Sequence, residues 1–112
     1  MQPSIGVSDG FCYTLTQGDD TTVVNLFGEL DMASAPALAT GLQRLAGAEI
    51  PVVVIDLSEL VFCDSSGLGV LLKFHEDAKE AGIRVIARSP SPNVRRIFEL
   101  TNATKLLEID SE

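Results

Sequence analysis

Residues 51–72, PVVVIDLSELVFCDSSGLGVLL, decide the fold. Val52-Val53-Val54-Ile55 is an unbroken apolar run, and residues 51–57 read as one strand. A strand apolar on both faces is expected at the centre of a parallel sheet, covered by helices on each side. Further along, Leu68, Leu71, Leu72 and His75 recur at helical spacing, predicting a helix to about Ala81. Gly82 suits the left-handed position after that helix. Between strand and helix lies a small polar step: Asp64, Ser65, Ser66, Gly67 and, two residues on, Gly69.

The same alternation extends in both directions. Phe11, Tyr13 and Leu15 alternate with Cys12, Thr14 and Thr16, which predicts a half-buried strand. Gly18-Asp19-Asp20 is a turn, so residues 22–27 should close a hairpin with it. Gly28-Glu29-Leu30-Asp31 then breaks the pattern. Ser34 is the candidate N-cap of a helix with Pro36 in its first turn, an apolar stripe at Leu38, Leu42 and Leu45, and an end near Gly47. Downstream, residues 83–87 form a short strand and Ser89-Pro90-Ser91-Pro92 a loop. A helix from about Asn93 to Leu100 and a last strand or edge over 105–109 follow. The order β-β-α-β-α-β-α-β calls for an α/β fold, a mostly parallel mixed sheet with an N-terminal β-hairpin and flanking helices. Residues 1–10 show no periodicity and are expected to be a flexible N-terminus; residues 11–112 form a single domain.

Composition narrows the function. The chain has 112 residues, enough for one core, with 46% apolar and 21% charged residues, an ordinary globular balance. Its formal net charge of −8 argues against a nucleic-acid surface, which needs clustered Lys and Arg, and leaves room for a basic protein partner. No run is long enough to span a bilayer, and the first ten residues lack a basic region followed by an apolar stretch, so neither a membrane span nor a secretory leader is expected. Cys12 and Cys63 make neither a disulfide framework nor a zinc signature and are expected to be buried, reduced thiols of a cytoplasmic protein.

Sites in open α/β sheets gather at the carboxyl ends of strands. Loops 28–34, 61–67 and 88–93 should meet there, offering Glu29, Asp31, Ser34, Asp64, Ser65, Ser66, Ser89, Ser91 and Asn93. The step at 61–69 does not fit a phosphate loop. It lacks Gly-x-x-x-x-Gly-Lys-Ser/Thr, and Asp64 repels phosphate. Nor is it a nucleophile elbow, for Cys63 stands where Gly-x-Ser-x-Gly wants its first glycine. The only histidine, His75, lies about 15 Å along the helix, too far to be a base for Ser65. Two readings stay open. Ser65 or Ser66 is a plain N-cap, or Ser65 is a hydroxyl that receives a phosphoryl group, which a helix N-terminus stabilises. Two glycines within one turn exceed what a cap needs and suggest close backbone approach.

DLSELVFCDSSGLGVLL at 56–72, GELD at 28–31 and SPNVRRIFELTNATKLLEI at 91–109, in that order, resemble the STAS domain family of bacterial anti-sigma factor antagonists. The resemblance runs over roughly residues 11–109; the Asp-Ser-Ser-Gly-Leu-Gly run is its specific part. It implies a partner-switching protein with no enzymatic activity. Such a domain binds an anti-sigma factor that is also a serine kinase, releasing the sigma factor. The kinase inactivates it by phosphorylating the serine after the aspartate, here Ser65, and a serine phosphatase reverses this. ATP and Mg belong to the kinase, so the chain itself needs no cofactor and no metal. The expected partner-binding set is Asp31, Asp64, Ser65, Ser66 and Gly67, on a monomer or weak dimer. Cys63 departs from the other apolar residues relatives often carry there. The alternatives are a constitutive scaffold subunit of a lipid-transport ABC system and, more remotely, a small nucleotide-binding module.

Overall fold

The computed structural model of the protein describes residues 4–8, 10–105 and 107–110, with only the backbone of 4–8 and 104. The elements run β1 (Ser4–Ser8), β2 (Phe11–Gln17), β3 (Thr21–Leu30), α1 (Ala35–Ala46), β4 (Val52–Cys63), α2 (Ser65–Glu80), β5 (Arg84–Arg88), α3 (Pro92–Leu100), a 3₁₀ turn (Ala103–Lys105) and β6 (Glu108–Asp110). They form one six-stranded sheet in the order β1-β2-β3-β4-β5-β6. The β1–β2 and β2–β3 pairs are antiparallel. The β3–β4, β4–β5 and β5–β6 pairs are parallel. The expected hairpin is the β2–β3 pair, closed at Gly18, whose N–H donates to the Thr21 carbonyl at 2.8 Å.

Two expectations change. Ser4–Ser8, for which no strand is expected, pair antiparallel with Phe11–Leu15 of β2; residues 1–3 and 9 lie outside the described residues. Five residues with glycine at their centre carry too little pattern to predict, and a neighbouring strand supplies what propensity does not. The helices, in turn, do not cover both faces of β4. Buried side chains of α1, α2 and α3 join one cluster with Tyr13, Val24, Leu26, Val53, Ile55, Val85 and Ala87, all on one face of the sheet. The opposite face carries Thr14, Asn25, Val54, Asp56 and Ile86 in register and contributes nothing to that cluster. Strand order explains this. Each parallel strand is added beside the last in the same direction, so crossovers of one hand bring every helix to the same face. Covering both faces requires a reversal of order, which this sheet lacks.

Both central strands outrun their predicted ends. β3 continues through Gly28, Glu29 and Leu30, and β4 reaches Cys63. The register between them slips twice, between Asn25 and Phe27 and between Gly28 and Glu29, as β4 inserts extra residues. At the first slip the Asp56 carboxylate takes up the local backbone, accepting from the Ser58 N–H at 2.9 Å and the Ser58 hydroxyl at 2.6 Å. A bulge of this kind turns side chains away from the regular alternation, which is why Ser58 and Glu59 are both exposed. Gly28 sits at φ 91°, and a Cβ there would fall 2.1 Å from the Gly10 carbonyl oxygen. Only glycine fits that crossing. The long β4 delivers the polar step at the tip of the sheet, next to the end of β3.

Candidate functional site

The site is built where β3 and β4 end together. Leu30 pairs with Cys63 in register. The Asp64 N–H then donates to the Leu30 carbonyl at 3.0 Å. Asp64, extended at φ −94° and ψ −175°, is the N-cap of α2. Its Oδ1 accepts from the Gly67 N–H at 3.0 Å and its Oδ2 from the Met32 N–H at 3.2 Å. One carboxylate thus caps a helix and ties loop 31–34 to it. A serine cap at 65 or 66 is thereby corrected. Aspartate ranks with serine as a cap, and it has two oxygens where the geometry asks for two acceptors.

Ser65 is consequently free. It is the first residue of α2 and is exposed, while Ser66 is half-buried. Neither hydroxyl makes a hydrogen bond to any described residue. The helical ladder begins with the Leu68 N–H on the Asp64 carbonyl at 2.9 Å, so the Ser65 and Ser66 N–H groups lie ahead of it. An exposed hydroxyl therefore stands among unpaired donors at the positive end of a 16-residue helix.

Gly67 is buried against the end of β3. A methyl there would come within 2.5 Å of Leu30 Cγ and 3.0 Å of the Leu30 carbonyl oxygen. The predicted close approach is thus real at Gly67. Gly69 differs: it is exposed, and a methyl there would meet nothing within 4 Å.

Asp31 serves its own loop. Its Oδ1 accepts from the Ala33 and Ser34 N–H groups, each at 3.0 Å, and lies 3.1 Å from the Ser34 hydroxyl. Those bonds, the Ser34 N–H first and its hydroxyl next, hold the Asp31 carboxyl below its ordinary value. Ser34 is buried at the N-cap position of α1, but its side chain does not cap the helix. It turns back, accepting from the Asp31 N–H at 2.9 Å and facing the Glu29 carbonyl at 3.0 Å. Loop 88–93 joins the other two through Ser91, whose hydroxyl donates to the Leu60 carbonyl at 2.9 Å and stands at the α3 cap. Glu29 and Asn93 are exposed on the rim, and Ser89 is half-buried with φ 55°.

Cys63 is buried directly beneath this turn, and burial, with the neighbouring Asp64 charge, pushes its thiol up to about 12. Cys12 is only half-buried, on β2. β3 lies between the two strands, so the thiols are not neighbours across a ladder. His75 is half-buried ten positions beyond Ser65 on α2, away from the hydroxyl. Among the described residues no group of acidic, His and Cys side chains could hold a metal ion, and no helix is long and apolar enough to cross a membrane.

Sequence reasoning missed two further features. Met32, Val61 and Phe62 expose 76%, 57% and 43% of their surface around the same turn. A groove of about 250 Å³ also runs between α1 and α2, from Ser66 to Asp77. Three apolar side chains beside a polar turn were a readable signal for the first. The second depends on how two helices pack and has no local signature.

A family model for the STAS domain matches residues 13–112. The chain is 31% identical over 98 residues to the anti-sigma-B factor antagonist of Bacillus subtilis (strain 168), covering 86% of this chain and 87% of that one. It is similar in structure to an anti-sigma factor antagonist from Mycobacterium paratuberculosis, with a TM-score of 0.80 and 33% identity over 96% of this chain and 91% of the other. It also resembles the anti-sigma factor antagonist SpoIIAA in its unphosphorylated form, with a TM-score of 0.76 and 25% identity over 89% of each chain.

Proposed function

The chain belongs to the STAS domain family, and on that premise we propose that it is an anti-sigma factor antagonist switched by phosphorylation of Ser65. Unmodified, it binds a kinase-type anti-sigma factor and so releases the sigma factor. Phosphorylation of Ser65 ends that binding, and a serine phosphatase restores it. The chain is a substrate and a docking module in the cytoplasm; ATP and Mg are the kinase's. The names of its relatives favour this over a constitutive scaffold subunit of a lipid-transport system.

The observation that carries the reading is the division of labour between Asp64 and Ser65. Asp64 caps α2 and leaves the Ser65 hydroxyl exposed and unpartnered. A kinase can therefore take that hydroxyl without breaking a bond of the fold. The phosphate adds a charge of about −1.5 to −2 at a helix N-terminus, where dipole and free N–H groups tolerate it. To a partner the same change is large. It places a dianion beside Asp64, at a turn where Met32 and Phe62 are exposed, and an apolar contact surface does not accept an unpaired dianion.

Incubation of the purified chain with the kinase-type anti-sigma factor of its own genome, ATP and Mg, followed by mass spectrometry, tests this. Phosphate is expected on Ser65. Ser65→Ala should bind the kinase like wild type and resist inactivation, and Ser65→Asp should bind roughly tenfold or more weakly. An unmodified Ser65, with Ser65→Asp binding as well as wild type, refutes the proposal.

A further inference from the structure

The groove between α1 and α2 poses a question that the chain alone does not answer. Its walls are Ala39 and Leu42 of α1 and Gly69, Val70 and Phe74 of α2, with Ser66 at its mouth. Glycine is among the least favourable residues in a helix interior, and the cost is accepted where something must come close. Gly67 meets that condition inside the chain, against Leu30. Gly69 does not, because the space where its Cβ would lie is empty. What Gly69 keeps clear is the groove.

Resting on the reading of Ser65 as phosphoacceptor, we propose that this groove receives an apolar ridge of the same kinase-type partner, and that Gly69 admits it. Three observations identify the occupant. The groove opens at Ser66, next to the acceptor hydroxyl, and runs along α2 to Asp77, a length of about 16 Å at the helical rise. A specific interface buries about 800 Å² per partner, a disc of about 16 Å radius, so a protein centred on Ser65 covers the groove as well. Its volume of about 250 Å³ leaves room for several side chains in a groove that is open along its length. It therefore suits inserted side chains, as in helix-in-groove recognition. The chain's net charge of −8 favours a basic partner as a whole, while the groove's own charged side chains, Lys73 and Asp77, pair with each other and leave the inserted ridge apolar.

The test sets stability against binding. Gly69→Ala should raise the melting temperature, by about 4 °C from helix propensity alone, while weakening the kinase. Gly69→Leu and Ala39→Leu fill the groove from opposite walls. Each should remain folded by circular dichroism and raise the KM for Ser65 phosphorylation by roughly tenfold or more, with kcat kept. Since Gly69 faces open space, at least this site accepts the larger side chain. Wild-type KM in folded Gly69→Leu overturns the inference. So does a wild-type homodimer, seen by ultracentrifugation, that Gly69→Leu dissolves without changing kinase affinity. Failure of the underlying reading looks different: wild type itself is then neither bound nor phosphorylated, and the groove loses its occupant with it.

Discussion

Replacing Asp64 by alanine should cost more than an ordinary cap, because its carboxylate does two jobs. The Gly67 bond at 3.0 Å is the helix cap, for which truncation costs about 1 kcal/mol. The Met32 bond at 3.2 Å reaches across 32 residues to fix loop 31–34. A hydrogen bond to a charged group is worth about 1.5–3 kcal/mol when buried. Met32 is exposed, so solvent screening reduces this to about 1 kcal/mol. Asp64→Ala should therefore lose about 2 kcal/mol, or about 8 °C in melting temperature for a domain of this size. Asp64→Asn keeps one acceptor oxygen and should lose about half as much. Thermal unfolding followed by circular dichroism measures both, and hydrogen exchange at the Met32 amide reports the second bond separately. An Asp64→Ala variant melting within about 1 °C of wild type refutes the dual role. Ser65 would then be able to serve as the cap, and its hydroxyl would not be free.

Three further outcomes follow from the packing and the charges. Gly67→Ala gains about 1 kcal/mol of helix propensity, but its methyl falls 2.5 Å from Leu30 Cγ; overpacking of about 1–3 kcal/mol should win, and chemical denaturation will show a net loss. Asp56 lies below its ordinary value of 3.8: burial raises it, and the Ser58 bonds and Arg88 more than offset that. A depressed carboxyl stabilises the fold above its unfolded value, about 3.9, and the gain disappears as pH falls through the folded value. The melting-temperature gap between wild type and Asp56→Asn should thus be full at pH 6 and shrink below about pH 4; a gap constant to pH 2 contradicts it. Cys63, buried and pushed up to about 12, should resist thiol reagents at pH 8 in the native state and react on unfolding; prompt native labelling, mapped by mass spectrometry, contradicts this burial.

The order of elements was legible because each has a strong local signature. The Val52–Ile55 run, the Leu38-Leu42-Leu45 stripe and Pro36 near a helix start all appear where expected. What escaped depends on neighbours. β1 exists by pairing with β2, and β4 runs on to Cys63 because β3 continues beside it through two register slips. Helices on one face follow from strand order, which an apolar run cannot encode. At the site, Ser65 was legible as an exposed helix start, whereas the choice between aspartate and serine as cap was not, since both serve. The geometry decides it: Asp64 alone has an oxygen for Gly67 and another for Met32. The asymmetry between Gly67 and Gly69 was hidden for the same reason, because only the folded chain shows Leu30 against one and open space beside the other.

The central claim is that Ser65 is the switch, and peptide-level mass spectrometry of the chain after reaction with the kinase-type anti-sigma factor proposed as its partner and ATP tests it most directly. One phosphate on Ser65, absent from Ser65→Ala and retained in Ser66→Ala, with loss of kinase binding by the modified chain, is the expected result. Phosphate on Ser66 or elsewhere, or a Ser65-phosphorylated chain that still binds its kinase as tightly as before, contradicts the account.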